Sequence, residues 1–192
     1  MSALQEVKKH LSPGHVYRRS DLLKWSNAVD RHLNLLQKDH TLLKLSGGLY
    51  YFPIETTFGK TPPDDGALVK GFLKDSRFLL MTPSLYNALG VGTTQLYNET
   101  VVYNHKRHGS FKLGNRSFRF VMKHFFPEQI TPEFLLVDLV DNADKLAEDR
   151  VQVFERVKQK AFSMDRSTLH SALENYGSVR TKKFFATFLN VS

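Results

Sequence analysis

Two adjacent glycines constrain the first sixty residues more than any other feature. Gly47 and Gly48 separate Leu42 to Leu45 from Leu49 to Phe52, two short apolar runs. A Gly-Gly tip supplies the positive φ of a tight hairpin, so the runs are predicted to be paired strands. Upstream, Val29, Leu33 and Leu36 fall at i, i+4 and i+7, the spacing of one buried helical stripe. Ser26 and Asn27 stand where that helix needs a cap. Ser20 and Asp21 open a shorter helix whose buried side would be Leu22, Leu23 and Trp25. Before it, Leu4, Val7 and Leu11 recur at helical spacing, Ser12-Pro13-Gly14 stops that helix, and His15 to Tyr17 is extended. Helix, short strand, two helices and a hairpin, in that order, predict a winged helix-turn-helix.

The outward face of the longer helix would carry Asn27, Asp30, Arg31, Asn34 and Lys38. Arginine pairs with guanine O6 and N7, and asparagine with adenine N6 and N7. Asp30 has two readings: it accepts from cytosine N4, or it orients Arg31 or a neighbouring basic side chain. An ordinary solvated face is the alternative for the whole set. Arg18, Arg19, Lys24, Lys38, Lys44 and Lys60 are candidate phosphate contacts, which position a module without reading sequence. Trp25 is expected in the core, because its helix must pack.

Charge points the same way. The 192 residues carry a net charge of +8, distributed as +4 over 1–60, +5 over 61–126 and −1 over 127–192. A polyanion is therefore expected to meet the first two thirds of the chain. There is no cysteine, which removes disulfides, thiolate catalysis and Cys-ligated zinc. The first eleven residues lack the apolar run of a signal peptide, and no stretch reaches the length of a membrane span. A soluble, cytoplasmic protein is expected.

Thr61 to Gly66 reads as a linker leading into a helix with Ala67, Phe72 and Leu73. Phe78 to Met81 is an apolar strand; Thr82-Pro83 starts a helix through Leu85, Tyr86 and Leu89 that Gly90 closes. Thr100 to Tyr103 is strand-like. Gly114-Asn115 joins Phe111–Leu113 to Ser117–Lys123 in a second hairpin. On its second arm Phe118, Phe120 and Met122 are expected to face inward. Thr131-Pro132-Glu133 is a helix start. Further helices are expected around Val151, Phe154 and Val157, then Leu169 to Tyr176 closed by Gly177, then a last one capped by Ser178 with Phe184, Phe185 and Phe188. The fold class is α+β: a winged helix-turn-helix over 1–60, then an α+β domain over 61–192 with a small antiparallel sheet flanked by helices.

Residues 105–124 hold six Lys/Arg and no acid: Lys106, Arg107, Lys112, Arg116, Arg119 and Lys123. They suggest a second nucleic-acid surface, or a sheet face paired with acids of the C-terminal helices. Phe111, Phe118 and Phe120 among them would suit single-stranded RNA stacking or a core. His105 and His108, near His124 and Glu99, lack a clear set of further zinc ligands. Asp138, Asp141, Glu148 and Asp149 offer carboxylates to magnesium, or a solvated helix face. Neither P-loop, G-x-S-x-G nor G-x-G-x-x-G occurs. No enzyme activity, metal or cofactor is expected.

The pattern V-x-x-x-L-x-x-L followed by L-K-L-S-G-G-L-Y-Y-F-P resembles the N-terminal winged helix of AbiE-type antitoxins, bacterial repressors of type IV toxin–antitoxin systems. L-Y-N-A-L-G-V-G-T-T-Q-L-Y-N (85–98), V-V-Y-N-H-K-R-H-G (101–109), E-F-L-L-V-D-L-V-D-N (133–142) and L-A-E-D-R (146–150) resemble that group's second half. Ser46-Gly47 stands where the family's wing tip usually carries arginine. The resemblance implies binding to repeats in the protein's own promoter, repression of its operon, and neutralisation of a nucleotidyltransferase-like toxin. The alternatives are an RNA- or protein-binding module that uses the basic 105–124 hairpin and, more distantly, a metal-dependent nuclease.

Overall fold

The computed structural model describes residues 2–189; residues 1 and 190–192, the outer ends of the two expected domains, lie outside them. The chain divides into two compact units, residues 1–76 with 109–118, and residues 77–108 with 119–192. The boundary expected at residue 60 thus falls inside the first unit, which also takes in a segment from the middle of the chain.

The first unit begins with α1 (Ala3–Lys9), capped by a reciprocal pair between Ser2 and Gln5. Strand β1 (Val16–Arg18) leads into a single-turn helix α2 (Arg19–Leu22), and α3 (Val29–Lys38) follows. Ser20 lies inside α2 and does not cap it. The Asp21 carboxylate instead reaches back to accept the Arg18 backbone N–H at 2.9 Å. Strands β2 (Leu43–Ser46) and β3 (Leu49–Tyr51) flank the glycines, and only Gly48 adopts the left-handed φ, +70°. The three-stranded sheet runs β1-β3-β2, all antiparallel, with Val16 opposite Tyr51 and Leu43 opposite Tyr51 on the other edge. A register shift between Lys44 and Ser46 leaves the Leu45 carbonyl to accept the N–H of Gly114 at 2.7 Å.

The helical stripe falls as its spacing predicts. Val29, Leu33 and Leu36 are buried in one cluster with Val7, Leu11, Leu22, Leu42 and Tyr50. Trp25 packs against that cluster from its rim and stacks on His10, whereas Leu23, expected inside, is exposed. Then come a small hairpin of β4 (Glu55–Thr56) and β5 (Gly59–Lys60), absent from the sequence reading, and α4 (Asp65–Leu73) with Asp64 as its cap.

The second unit holds β6 (Phe78–Met81) and β7 (Thr100–Asn104), paired antiparallel from Phe78–Asn104 to Met81–Val101. The stretch Pro83–Leu89 is 3-10 helix and ends at Gly90 with φ +68°. Strand β8 (Gly109–Leu113) and residues 116–118 of β9 (Arg116–Met122) belong to the first unit, and residues 119–122 of β9 to the second. Four helices follow, α5 (Pro132–Asn142), α6 (Arg150–Phe162), α7 (Arg166–Tyr176) and α8 (Val179–Leu189), with a short 3-10 turn at Ala143–Lys145 after α5. Thr131 caps α5 through the Phe134 N–H. Helix α5 is apolar on nearly all sides, and Phe134 to Val140 are all buried, so it is the central element of the unit's core. Met122, expected inward, is exposed, and so is Val151; Val153 with Val157 and Ala161 forms the buried side of α6. No described helix is long and apolar enough to cross a membrane. The architecture is mixed α and β, with small antiparallel sheets and helices.

Candidate nucleic-acid interface

Burying Val29, Leu33 and Leu36 turns the opposite side of α3 to solvent. Asp30, Arg31, Asn34 and Lys38 are all exposed there; Asn27, expected on the same face, is exposed in the turn before the helix, whose cap position is Ala28. Helix α3 is held at its start from within the unit. The Ser26 hydroxyl accepts the Ala28 N–H at 3.1 Å and pairs with His32 Nδ1 at 2.7 Å. His32 is buried on the helix's inner side. It is an anchor the sequence reading missed, because its only signal was its place beside Leu33.

Arg19 occupies the junction of three elements. Its backbone N–H donates to Gly48 O at the β2–β3 turn, at 2.8 Å. Its guanidinium donates through Nε and Nη2 to the two oxygens of Asp30 on α3, both at 2.7 Å. This settles Asp30's partner: it holds Arg19, not Arg31. The forked hydrogen bond raises the Arg19 guanidinium above its ordinary value and holds the Asp30 carboxyl below the usual carboxylate range. Two of Arg19's donors are thereby committed, and the side chain keeps 44% of its surface exposed.

The other cations divide. Arg18 reaches the end of α4: its Nε donates to Gly71 O at 2.9 Å and its Nη2 to Lys70 O at 3.2 Å, a carbonyl that also accepts the Lys74 N–H. Those bonds to a helix end commit two of Arg18's donors within the unit, as Asp30 commits two of Arg19's. Lys24, Arg31, Lys38 and Lys44 are exposed in the first unit. Lys60 donates to His40 O at 3.2 Å in the turn after α3.

The basic run at 105–124 does not form one surface of one unit. Lys112 and Arg116 belong to the first unit, and Lys106, Arg107 and Arg119 to the second. Several of its charges are neutralised. Arg116 pairs with Asp65 at 2.5 Å. Arg119 grips Glu99 with two bonds, at 2.8 and 2.9 Å, which raises its guanidinium further. Lys123 pairs with buried Asp138 at 2.8 Å. Phe118 and Phe120 are fully buried, and Phe111 packs on Phe72 at 5.0 Å, so none is a platform for bases.

The acids proposed for magnesium are spoken for one by one. Asp138 accepts from Tyr86, Tyr103 and Lys123 inside the core, and burial pushes both tyrosine hydroxyls upward. Asp141 accepts from Thr181 and Ser178. Glu148 takes the N–H groups of Thr94 and Gln95 and the Tyr97 hydroxyl. Asp149 caps α6. His105 stacks on Phe126 at 4.7 Å. Among the described residues, no group of three or more His, Asp or Glu is placed to hold a metal ion.

One surface therefore combines amide, guanidinium and ammonium groups on a helix braced by the core: α3, with Arg19 and the β2–β3 turn at its border. No protein-family model matches this chain, and no curated protein matches its sequence.

Proposed function

We propose that the first unit is a winged helix-turn-helix that binds duplex DNA, and that the protein is the autorepressor and antitoxin of its own operon. The observation that carries the DNA reading is α3. Three apolar side chains seat it on the core, while Arg31, Asn34 and Lys38 are exposed on the helix and Asn27 in the turn before it. The order α1-β1-α2-α3-β2-β3, with β1 closing the sheet as β1-β3-β2, supports the same reading: α3 would enter the major groove and the β2–β3 hairpin would be the wing. Arg31, Asn27 and Asn34 would read base edges. Lys24, Lys38 and Lys44 would hold phosphates, and Arg19 would meet the duplex in the pose that Asp30 fixes. The antitoxin role, against a nucleotidyltransferase-like toxin, rests on the sequence resemblance at 85–98, 101–109, 133–142 and 146–150. RNA binding through the 105–124 hairpin is less favoured, since Arg116 and Arg119 are paired with acids and its phenylalanines are buried or packed.

The test is fluorescence anisotropy on the protein's own upstream duplex and on a scrambled duplex of equal length, over a salt series. A preference of about a thousandfold is expected for a specific binder. Arg31→Ala should relax that preference by about 1–3 kcal/mol, while Lys24→Ala should weaken both duplexes alike and flatten the salt slope. Equal losses on both duplexes for Arg31→Ala would remove its base-reading role.

A further inference from the structure

We propose that Phe58 is an apolar wedge that seats against a base step of duplex DNA beside the footprint of α3. The proposal rests on the DNA-binding reading above and adds a contact which that reading does not contain. Phe58 is the most exposed large apolar side chain described, at 101% of its reference surface. It sits at the tip of the β4–β5 hairpin, where Glu55 faces Lys60 and Thr56 faces Gly59, so Thr57 and Phe58 form the turn. Nothing in such a turn calls for a phenyl ring, and polar or flexible residues are the usual choice.

The tip is nonetheless built to hold still. Thr56 Oγ1 accepts the Phe58 N–H at 3.3 Å and donates to Gly59 O at 2.8 Å. Gly59 takes φ +106°, which an L side chain rarely adopts. The base of the hairpin is fastened too: Thr61 N–H donates to Ile54 O at 2.9 Å, and Thr61 Oγ1 meets the Tyr51 hydroxyl at 3.2 Å. Lys60 Nζ reaches His40 O, which fixes the hairpin to the turn that ends α3. An exposed ring is thus presented at the tip of a hairpin tied to the turn that follows α3.

Charge selects the occupant. Residues 1–60 carry a net +4, and Lys24, Arg31, Lys38 and Lys44 are exposed in the same unit, so a polyanion is the partner this surface attracts. Apolar side chains that enter between base pairs unstack them and kink the duplex, and phenylalanine and leucine both serve in that role.

The experiment uses the full chain and its upstream duplex, with 2-aminopurine placed at successive steps next to each repeat. Wild-type protein should brighten one step, because 2-aminopurine emits more strongly when unstacked. Phe58→Ser should abolish that rise and weaken operator binding by about tenfold, the scale of one lost base–aromatic contact. Phe58→Leu should keep most of both. Since the ring is fully exposed, neither change should move the thermal unfolding midpoint. Wild-type affinity in Phe58→Ser, or no brightened step, overturns the wedge and leaves the DNA-binding reading standing. Failure of the wild type to prefer its upstream duplex overturns both. Loss of self-association in Phe58→Ser, with emission and affinity unchanged, assigns the ring to a second copy of the chain and overturns the wedge.

Discussion

Asp30 is an acid on a face that should attract phosphate, and the fork to Arg19 accounts for it. The pair is exposed on both sides, so it adds little to stability. Its effect is on pose: two bonds aim one guanidinium and remove its freedom to follow any nearby phosphate. On the proposed DNA-binding role, Asp30→Ala should therefore act in two directions. Removing a negative charge should raise affinity for scrambled duplex, while freeing Arg19 should lower the preference for the operator. The Asp30 carboxyl is held below its ordinary value, so the pair is intact above the unfolded-state carboxyl range and is lost as pH falls through the lowered value. The difference between mutant and wild type should accordingly be full near neutrality and shrink only in acid. Anisotropy titrations on both duplexes at neutral pH check the first claim; a uniform gain on both, with preference kept, would deny Arg19 an aimed role. The exposed members of α3 were legible in the sequence, because helical spacing fixes which side is buried. The partners of Arg18 and Arg19 were not. Arg18 finds its acceptors 52 and 53 residues away, and no local pattern encodes where a long side chain reaches.

Element boundaries were legible where a glycine or a cap announces them, though the reason was sometimes different. Gly177 was expected to close α7, and it does, but not by a left-handed φ: its backbone is extended, at φ −73° and ψ 138°. Glycine suits the position because a Cβ would come within 2.8 Å of Leu173 O, while the Gly177 N–H donates to that same oxygen at 2.9 Å. Val137 on α5 stands 3.4 Å from the same point, so the chain end of α7 has no room to retreat. Gly177→Ala should cost about 1–3 kcal/mol, the range for overpacking. Urea unfolding measures it, and a midpoint equal to wild type would mean that α7 shifts freely on α5. The β4–β5 hairpin was missed because its strands are two residues long and exposed. With no buried side, they carry no alternation to read. The 105–124 run left two readings open for the opposite reason. Its charge density is plain in the sequence, but the acids that answer it, Asp65, Glu99 and Asp138, are scattered along the chain.

At the scale of the molecule, the mixed α and β character followed from the alternation of apolar strands and capped helices, whereas the division into units did not. A linker-like Thr61 to Gly66 suggested a break near residue 60, yet α4 and residues 109–118 belong to the first unit. The contacts that bring them there are specific. Gly114 N–H donates to the bulged Leu45 carbonyl, Phe111 packs on Phe72, and Arg116 pairs with Asp65. Arg18 ties β1 to the end of α4. A hairpin shows its own turn in sequence but not the distant strand it will meet, and that choice sets the unit. A fragment of residues 1–76 should therefore be incomplete. It lacks Leu113, which is 1% exposed in the whole chain, and burial of one such side chain contributes about 1.5–3 kcal/mol. The Leu45 carbonyl also loses its donor, for roughly another 1 kcal/mol. Joining 1–76 to 109–118 through a short Gly/Ser linker in place of 77–108 should restore most of this. Guanidinium unfolding of the two fragments, followed by circular dichroism, makes the comparison. A higher midpoint for the linked fragment is expected. Equal midpoints would mean that the hairpin leans on the first unit without supporting it, and that the helices and sheet within 1–76 are sufficient to hold α3 in place.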